Sequence, residues 1–137
     1  GCRLPFPWDS TAPNQGFNSG AKPWLPAKNN LSLDQALAYP YSSYNVLREM
    51  LKIRKAHPAL HSGHFREVLI EGECYVFERK LEKETLLIAA NFSAEDHDIN
   101  LPHKTLKDLT PKALMRRCTI KNDKMKLPGC GYFLGEI

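Results

Sequence analysis

Three histidines, His57, His61 and His64, stand at positions i, i+4 and i+7. On an unbroken helix that spacing would bring three imidazoles to one face for a metal ion. Pro58 and Gly63 fall inside the span and break the helix it needs, so a solvated turn is the expectation and no metal site is assigned. General acid–base hydrolysis would need two carboxyl groups, one with a raised pKa. Asp34, Glu49, Glu71, Glu73, Glu78, Glu95, Asp96 and Asp98 read as helix or hairpin surface with nothing to raise a pKa. Asp9 follows Trp8 in a proline-flanked loop but has no evident partner. Cys130 between Gly129 and Gly131 has the form of a reactive-thiol loop, yet no base can be assigned to it, and a tight turn into the last strand is expected. Asn30-Leu31-Ser32 and Asn91-Phe92-Ser93 match the glycosylation sequon, which carries weight only behind a secretory signal. The chain holds no G-x-S-x-G, phosphate-binding loop or glycine-rich dinucleotide turn. Taken alone it offers no catalytic residues and calls for no cofactor.

The element that would position any site is Ser42–His57, the one stretch with a clear helical period. At about 100° per residue, Tyr44, Val46, Leu47, Met50, Leu51 and Ile53 share one side and Asn45, Arg48, Glu49, Lys52 and Lys55 the other. The apolar arc is wider than a helix covered on one side requires, so this helix wants two partners, one of them a sheet. Arg54 lies inside the arc, where its guanidinium must be paired or reach an edge.

Before the helix, residues 1–41 hold most of the prolines and both tryptophans. A long irregular segment anchored by Phe6, Trp8, Phe17 and Trp24 is too apolar for a flexible linker and needs a surface to pack on. Within it, Ser32 is the expected N-cap of a short helix ending before Pro40. After the helix come strand candidates at His64–Ile70, Cys74–Lys80, Thr85–Phe92, Asp96–Leu101, Ala113–Ile120, Lys124–Leu127 and Tyr132–Ile137. Such close spacing predicts an antiparallel sandwich or barrel. Leu86-Leu87-Ile88-Ala89-Ala90 is continuously apolar, as a central strand covered on both faces would be.

Composition bounds the function. The net charge of +4 with 25% charged residues is too mild and too dispersed for a nucleic-acid surface. Cys2, Cys74, Cys118 and Cys130 show neither disulfide-framework nor zinc spacing, which favours reduced thiols and a cytoplasmic location. No apolar run approaches the length of a membrane span. The chain opens Gly-Cys-Arg rather than with methionine, as a fragment would.

Five pieces, in order, resemble the C-terminal part of glycoside hydrolase family 13, the α-amylase family, in its α-glucosidase and oligo-1,6-glucosidase branch. They are Arg3-Leu4-Pro5-Phe6-Pro7-Trp8-Asp9, Gly16-Phe17, Pro23-Trp24-Leu25-Pro26, the helix Ser42–Lys55 with its small-residue turn, and Leu86-Leu87-Ile88-Ala89-Ala90-Asn91-Phe92. The family's loop after the last barrel strand typically reads R-T-P-M-Q-W-D. The resemblance implies a mainly β fold: an antiparallel β-sandwich C-terminal domain at 58–137, preceded at 1–57 by an irregular loop and one long helix, the last helix of a parent (β/α)8 barrel. It implies that the catalytic carboxylates lie upstream, in that barrel. Of the family's functional positions it reaches only Arg3, which would help hold the substrate sugar; Leu4, Phe6 and Pro7 depart from the loop pattern. The expected partner is the catalytic barrel and, through it, an oligosaccharide substrate. A free-standing carbohydrate-binding module, with Trp8 and Trp24 as stacking platforms, is the alternative. A non-catalytic ectodomain of the transporter heavy-chain type is a further one.

Overall fold

The computed structural model describes residues 3–26, 31–101, 107–114, 116–121 and 123–137. Two compact units divide the chain, Gly1–Arg48 and Glu49–Ile137.

In the first unit the proline-rich segment folds back on itself. A 3-10 turn at Pro13–Gly16 places Asn14 and Gln15 at positive φ, and its Gln15 carbonyl accepts the Trp8 and Asp9 amides at 2.8 and 3.1 Å. Gly16 closes the turn at φ +74°, where a Cβ would press to 3.3 Å from Trp8 and Asp9. Helix α1 runs Leu33–Ala38 with Ser32 as N-cap, as expected, and Gln35 Oε1 accepts the Ser32 amide at 3.2 Å to close a capping box. Two of its first-turn amides, orphans in any helix, donate to the returning loop: Leu33 to the Pro7 carbonyl at 2.9 Å and Asp34 to that of Trp8 at 3.2 Å.

Helix α2 runs Ser43–Ala56, within one residue of the expected span. Its orientation differs from the expectation. Asn45, assigned to the polar side, is buried, while Tyr44, Leu47, Met50 and Leu51 are exposed. Burial of the amide is chemically satisfied: Asn45 Nδ2 lies 3.1, 3.3 and 2.9 Å from the carbonyls of Ala36, Leu37 and Tyr39. Those groups belong to the C-terminal turn of α1, whose carbonyls lack helical partners. Ser42 Oγ adds a bond to the Ala36 carbonyl at 2.6 Å.

The second unit is an antiparallel β-sandwich. Its five-stranded sheet has the order β1 (His64–Glu71), β2 (Cys74–Leu81), β3 (Glu84–Asn91), β8 (Tyr132–Glu136), β5 (Lys107–Asp108). The three-stranded sheet has the order β4 (His97–Asn100), β7 (Lys124–Leu127), β6 (Thr119–Lys121). Two-residue connections, Gly72-Glu73 and Glu82-Lys83, join Glu71 to Cys74 and Leu81 to Glu84. The core lies between the sheets: Cys74, Val76, Leu87, Ala89 and Phe133 from one, Ile99, Met125 and Leu127 from the other. The predicted strand at Ala113–Ile120 shrinks to β6, and β5 was not foreseen.

The helix seated on the five-stranded sheet is the short α3 (Ala59–Ser62), whose Ala59 is fully buried. Helix α2, expected on the sheet, reaches its β5 end: Glu49 Oε2 accepts the Ala113 amide at 3.1 Å, and Glu49, Lys52 and Ile53 line a cleft with Asp108 of β5. Pro58 ends α2 and serves as the N-cap of α3. Arg54 settles the question its position raised by donating to the Leu60 carbonyl at 2.6 Å. Glu78, expected on a hairpin surface, is buried and takes both Nε and Nη2 of Arg66 on one oxygen, at 3.0 and 2.8 Å.

Glu84 fastens α3 to the sheet. One carboxylate oxygen accepts His57 Nδ1–H at 2.6 Å and the other the Ala59 amide at 2.8 Å. Burial pushes this carboxyl up, but the Ala59 amide and the His57 ring outweigh it and its pKa is lowered on balance. A depressed carboxylate stabilises the fold fully above its unfolded pKa, about 4.3, and that contribution disappears as pH falls through the lower folded value. Glu84→Gln cannot accept both donors equally and is expected to cost about 1–3 kcal/mol at neutral pH. In urea titrations at pH 7 and again in strong acid, the gap between native and variant should close in acid. An equal gap at both values would mean that the carboxylate charge does not hold the joint.

Candidate functional site

Arg3 starts the loop of the first unit and is exposed. Its guanidinium carbon lies 5.9 Å from the centroid of the Trp24 ring, inside cation–π range. Trp24 follows Pro23, and its side chain is 82% exposed. Beside this pair in sequence, the rings of Phe6 and Trp8 approach to 4.6 Å at 58°, and both are half exposed. The unit therefore presents a fixed cation on one indole and a second aromatic pair to solvent. A guanidinium can fork hydrogen bonds to hydroxyls, and an exposed indole offers a flat apolar plate. That chemistry suits a hydroxyl-rich ring or a protein surface.

The carboxylates of this unit serve its shape. Asp9 Oδ1 accepts the Thr11 amide at 2.8 Å and the Thr11 hydroxyl at 2.7 Å, and these donors lower its pKa. Asp34 accepts the Ser10 hydroxyl at 2.6 Å and the Ser10 amide at 3.1 Å. The Ser10 and Ser32 hydroxyls bring its pKa down to about 2. Both groups are held ionised, the opposite of what a proton donor requires.

The other candidates disperse. His57 is bound to Glu84 and His61 to the Arg54 carbonyl, and among the described residues no three His, Cys, Asp or Glu side chains converge. Cys130 sits in a turn at φ +54° leading into β8, its amide on the Ser93 carbonyl at 2.7 Å. Asn91 of the second sequon is buried, with Nδ2 at 2.7, 3.4 and 3.2 Å from the carbonyls of Glu95, Leu127 and Pro128. No nitrogen is left there for a glycan. The first sequon begins at Asn30, outside the described residues.

The pairing of Arg3 with Trp24 is what sequence reasoning missed: each residue was singled out, but their meeting was not. Pro5 and Pro7 around Phe6, and Pro23 and Pro26 around Trp24, stiffen the segment, but they do not encode which residues it brings together.

Comparison with known proteins places these features. Residues 63–127 match the alpha-amylase C-terminal domain. A probable alpha-glucosidase of Rhizobium meliloti is 33% identical over 100% of this chain and 25% of its own length. An oligo-1,6-glucosidase of Parageobacillus thermoglucosidasius is 30% identical over 73% of the chain and 18% of its own length. The crystal structure of an alpha-glucosyl transfer enzyme superposes with a TM-score of 0.85 at 27% identity, covering 99% of this chain and 25% of that one. A trehalulose synthase gives a TM-score of 0.81 at 27% identity, over 97% and 25%. The chain thus spans about a quarter or less of the length of the relatives it matches.

Proposed function

The chain belongs to the α-amylase family, where it corresponds to the C-terminal domain of α-glucosidase-like enzymes, and on that footing we propose that it is the C-terminal portion of a cytoplasmic α-glucosidase. The whole enzyme hydrolyses α-glucosidic bonds of short oligosaccharides with retention, through a covalent glycosyl-enzyme intermediate. The observation that carries this reading is the end-to-end match to a probable alpha-glucosidase. In this proposal the chain itself is non-catalytic. Its sandwich stabilises a catalytic barrel built from the preceding residues, and its opening loop borders the substrate cleft.

Arg3 is the residue of this chain that reaches the sugar. The support is its position at the head of the loop, exposed and held over Trp24. In the longer polypeptide, hydrolysis of maltose and isomaltose is the direct test. Arg3→Ala should raise KM by roughly ten- to a hundredfold, the loss of about 1.5–3 kcal/mol from a hydrogen bond to a charged donor. An unchanged KM with a lowered Tm would make Arg3 a structural residue. Absence of any glucosidase activity in the longer polypeptide would sink the enzyme reading.

The exposure of Trp24 supports one alternative, a carbohydrate-binding module. Titrating the 137-residue chain with maltose while following tryptophan fluorescence separates the two. A saturable shift favours the module, and none is expected from the proposal.

A further inference from the structure

The outer face of the three-stranded sheet carries charges that its folding does not call for. Side chains alternate along each strand, and Ile99, Met125 and Leu127 take the core side. Their neighbours form a grid on the other side. One row runs Asn100, Lys124, Lys121 across β4, β7 and β6, and the next runs Asp98, Lys126, Thr119. All six residues are exposed.

The second row has its cation committed. Lys126 Nζ lies 3.2 Å from Asp96 Oδ2, and Asp98 stands opposite Lys126 on β4. Asp96 is itself fastened by the Gly129 amide at 3.1 Å. The first row is different. Lys121 and Lys124 oppose each other directly, and among the described residues neither ammonium has a hydrogen-bond or ion-pair partner. Like charges directly opposite in an antiparallel pair are destabilising. A lysine on an edge strand guards it against pairing with other chains, which accounts for Lys121 on β6. Lys124 lies on the central strand β7, where no edge needs guarding. Lys121, Lys124 and Lys126, with Asp98 and Thr119, line a depression of about 500 Å³, a size suited to a small molecule.

We propose that this depression binds the phosphate group of a small soluble molecule, bridged by Lys121 and Lys124. A phosphate ester carries close to two negative charges at neutral pH and three strong acceptor oxygens. Two ammonium groups match that charge, whereas a carboxylate would leave one of them unbalanced. The Asn100 amide and the Thr119 hydroxyl add neutral donors to either side. Asp96 and Asp98 bound the lysine pair along the sheet, and Asp123 occupies the turn between the two lysines. A plane of anionic headgroups would meet those carboxylates; a small anion need not.

Equilibrium dialysis of the longer polypeptide against inorganic phosphate, at fixed ionic strength and neutral pH, tests the site. The native protein should show saturable binding. Lys121→Ala and Lys124→Ala should each weaken it several-fold, and the double variant should lose it. Lys83→Ala, in the turn between β2 and β3, should bind as the native protein does. Thermal melts separate this from a structural role. In chloride the double variant should melt no lower than the native protein, because a repulsion has been removed. Phosphate should raise the melting temperature of the native protein alone. Equal binding by native and double variant, or no saturable binding, would overturn the proposal. So would lysine-dependent sedimentation with vesicles of phosphatidylcholine and phosphatidic acid in a protein that ignores free phosphate. Phosphate binding is read without any glucosidase assay, so this site and the proposed activity can each fail alone.

Discussion

Phe133→Ala is expected to lower the unfolding free energy of the sandwich by about 3–5 kcal/mol, the range for truncating a buried aromatic. Phe133 is fully buried and stands directly opposite Ala89, whose small side chain leaves room for the ring. It shares one core cluster with Val76, Leu87, Met125 and Leu127, drawn from both sheets. A backbone pinned by two ladders cannot collapse into the space the ring leaves, so the cavity cost adds to the lost transfer energy. The neighbouring Leu134 supplies the control. It points to the half-buried outer face, and Leu134→Ala should cost distinctly less. Urea denaturation of both variants measures the difference. Equal losses would mean that the space between the sheets is not the dominant core.

The second large effect is expected at Asn91. Its Nδ2 lies within reach of three carbonyls, and its Oδ1 accepts the Ser93 amide at 2.9 Å and hydroxyl at 2.8 Å. One amide thus ties the end of β3 to the loop before β4 and the turn before β8. Asn91→Ala removes every one of these partners at once, and buried groups left unpaired cost about 1–3 kcal/mol each. Refilling by water would keep the total nearer the cost of one or two such groups. Asn91→Asp should be worse at neutral pH, because a carboxylate would face three carbonyl oxygens. Protonation restores one donor, so the aspartate variant should recover part of its deficit as pH falls, while the alanine variant does not. Thermal melts of both variants across the acid range check this. Parallel curves would show that the donor side of Asn91 matters little.

The strands legible in the sequence were those whose burial alternates or runs continuously. Cys74–Leu81 and Glu84–Asn91 are long enough for period and turn residues to define both ends. By contrast, Lys107–Asp108 is two exposed charged residues held by pairing to β8. Nothing in their own types asks for a strand. Thr119–Lys121 is likewise exposed throughout, so its neighbours decide its extent. The orientation of α2 was hidden for a different reason. Hydrophobic periodicity assumes that the buried face is apolar, whereas here an asparagine is buried because α1 ends beside it with carbonyls to satisfy. The same limit applies to the candidate site. Arg3 was reached through a motif, but its seat over Trp24 depends on a loop path that no local pattern encodes.

That loop path has a bearing on how this family diversifies. The segment from Pro7 to Gln15 is fixed through main-chain atoms: the Pro7 and Trp8 carbonyls take the first amides of α1, and the Gln15 carbonyl takes those of Trp8 and Asp9. Main-chain anchors are indifferent to most side-chain replacements. Leu4 and Phe6 can therefore change identity while the loop keeps its course. Selection can redraw the exposed face of the loop one residue at a time without reopening the question of the fold, and the departures of Leu4, Phe6 and Pro7 from the usual loop sequence are the kind of drift such an arrangement permits.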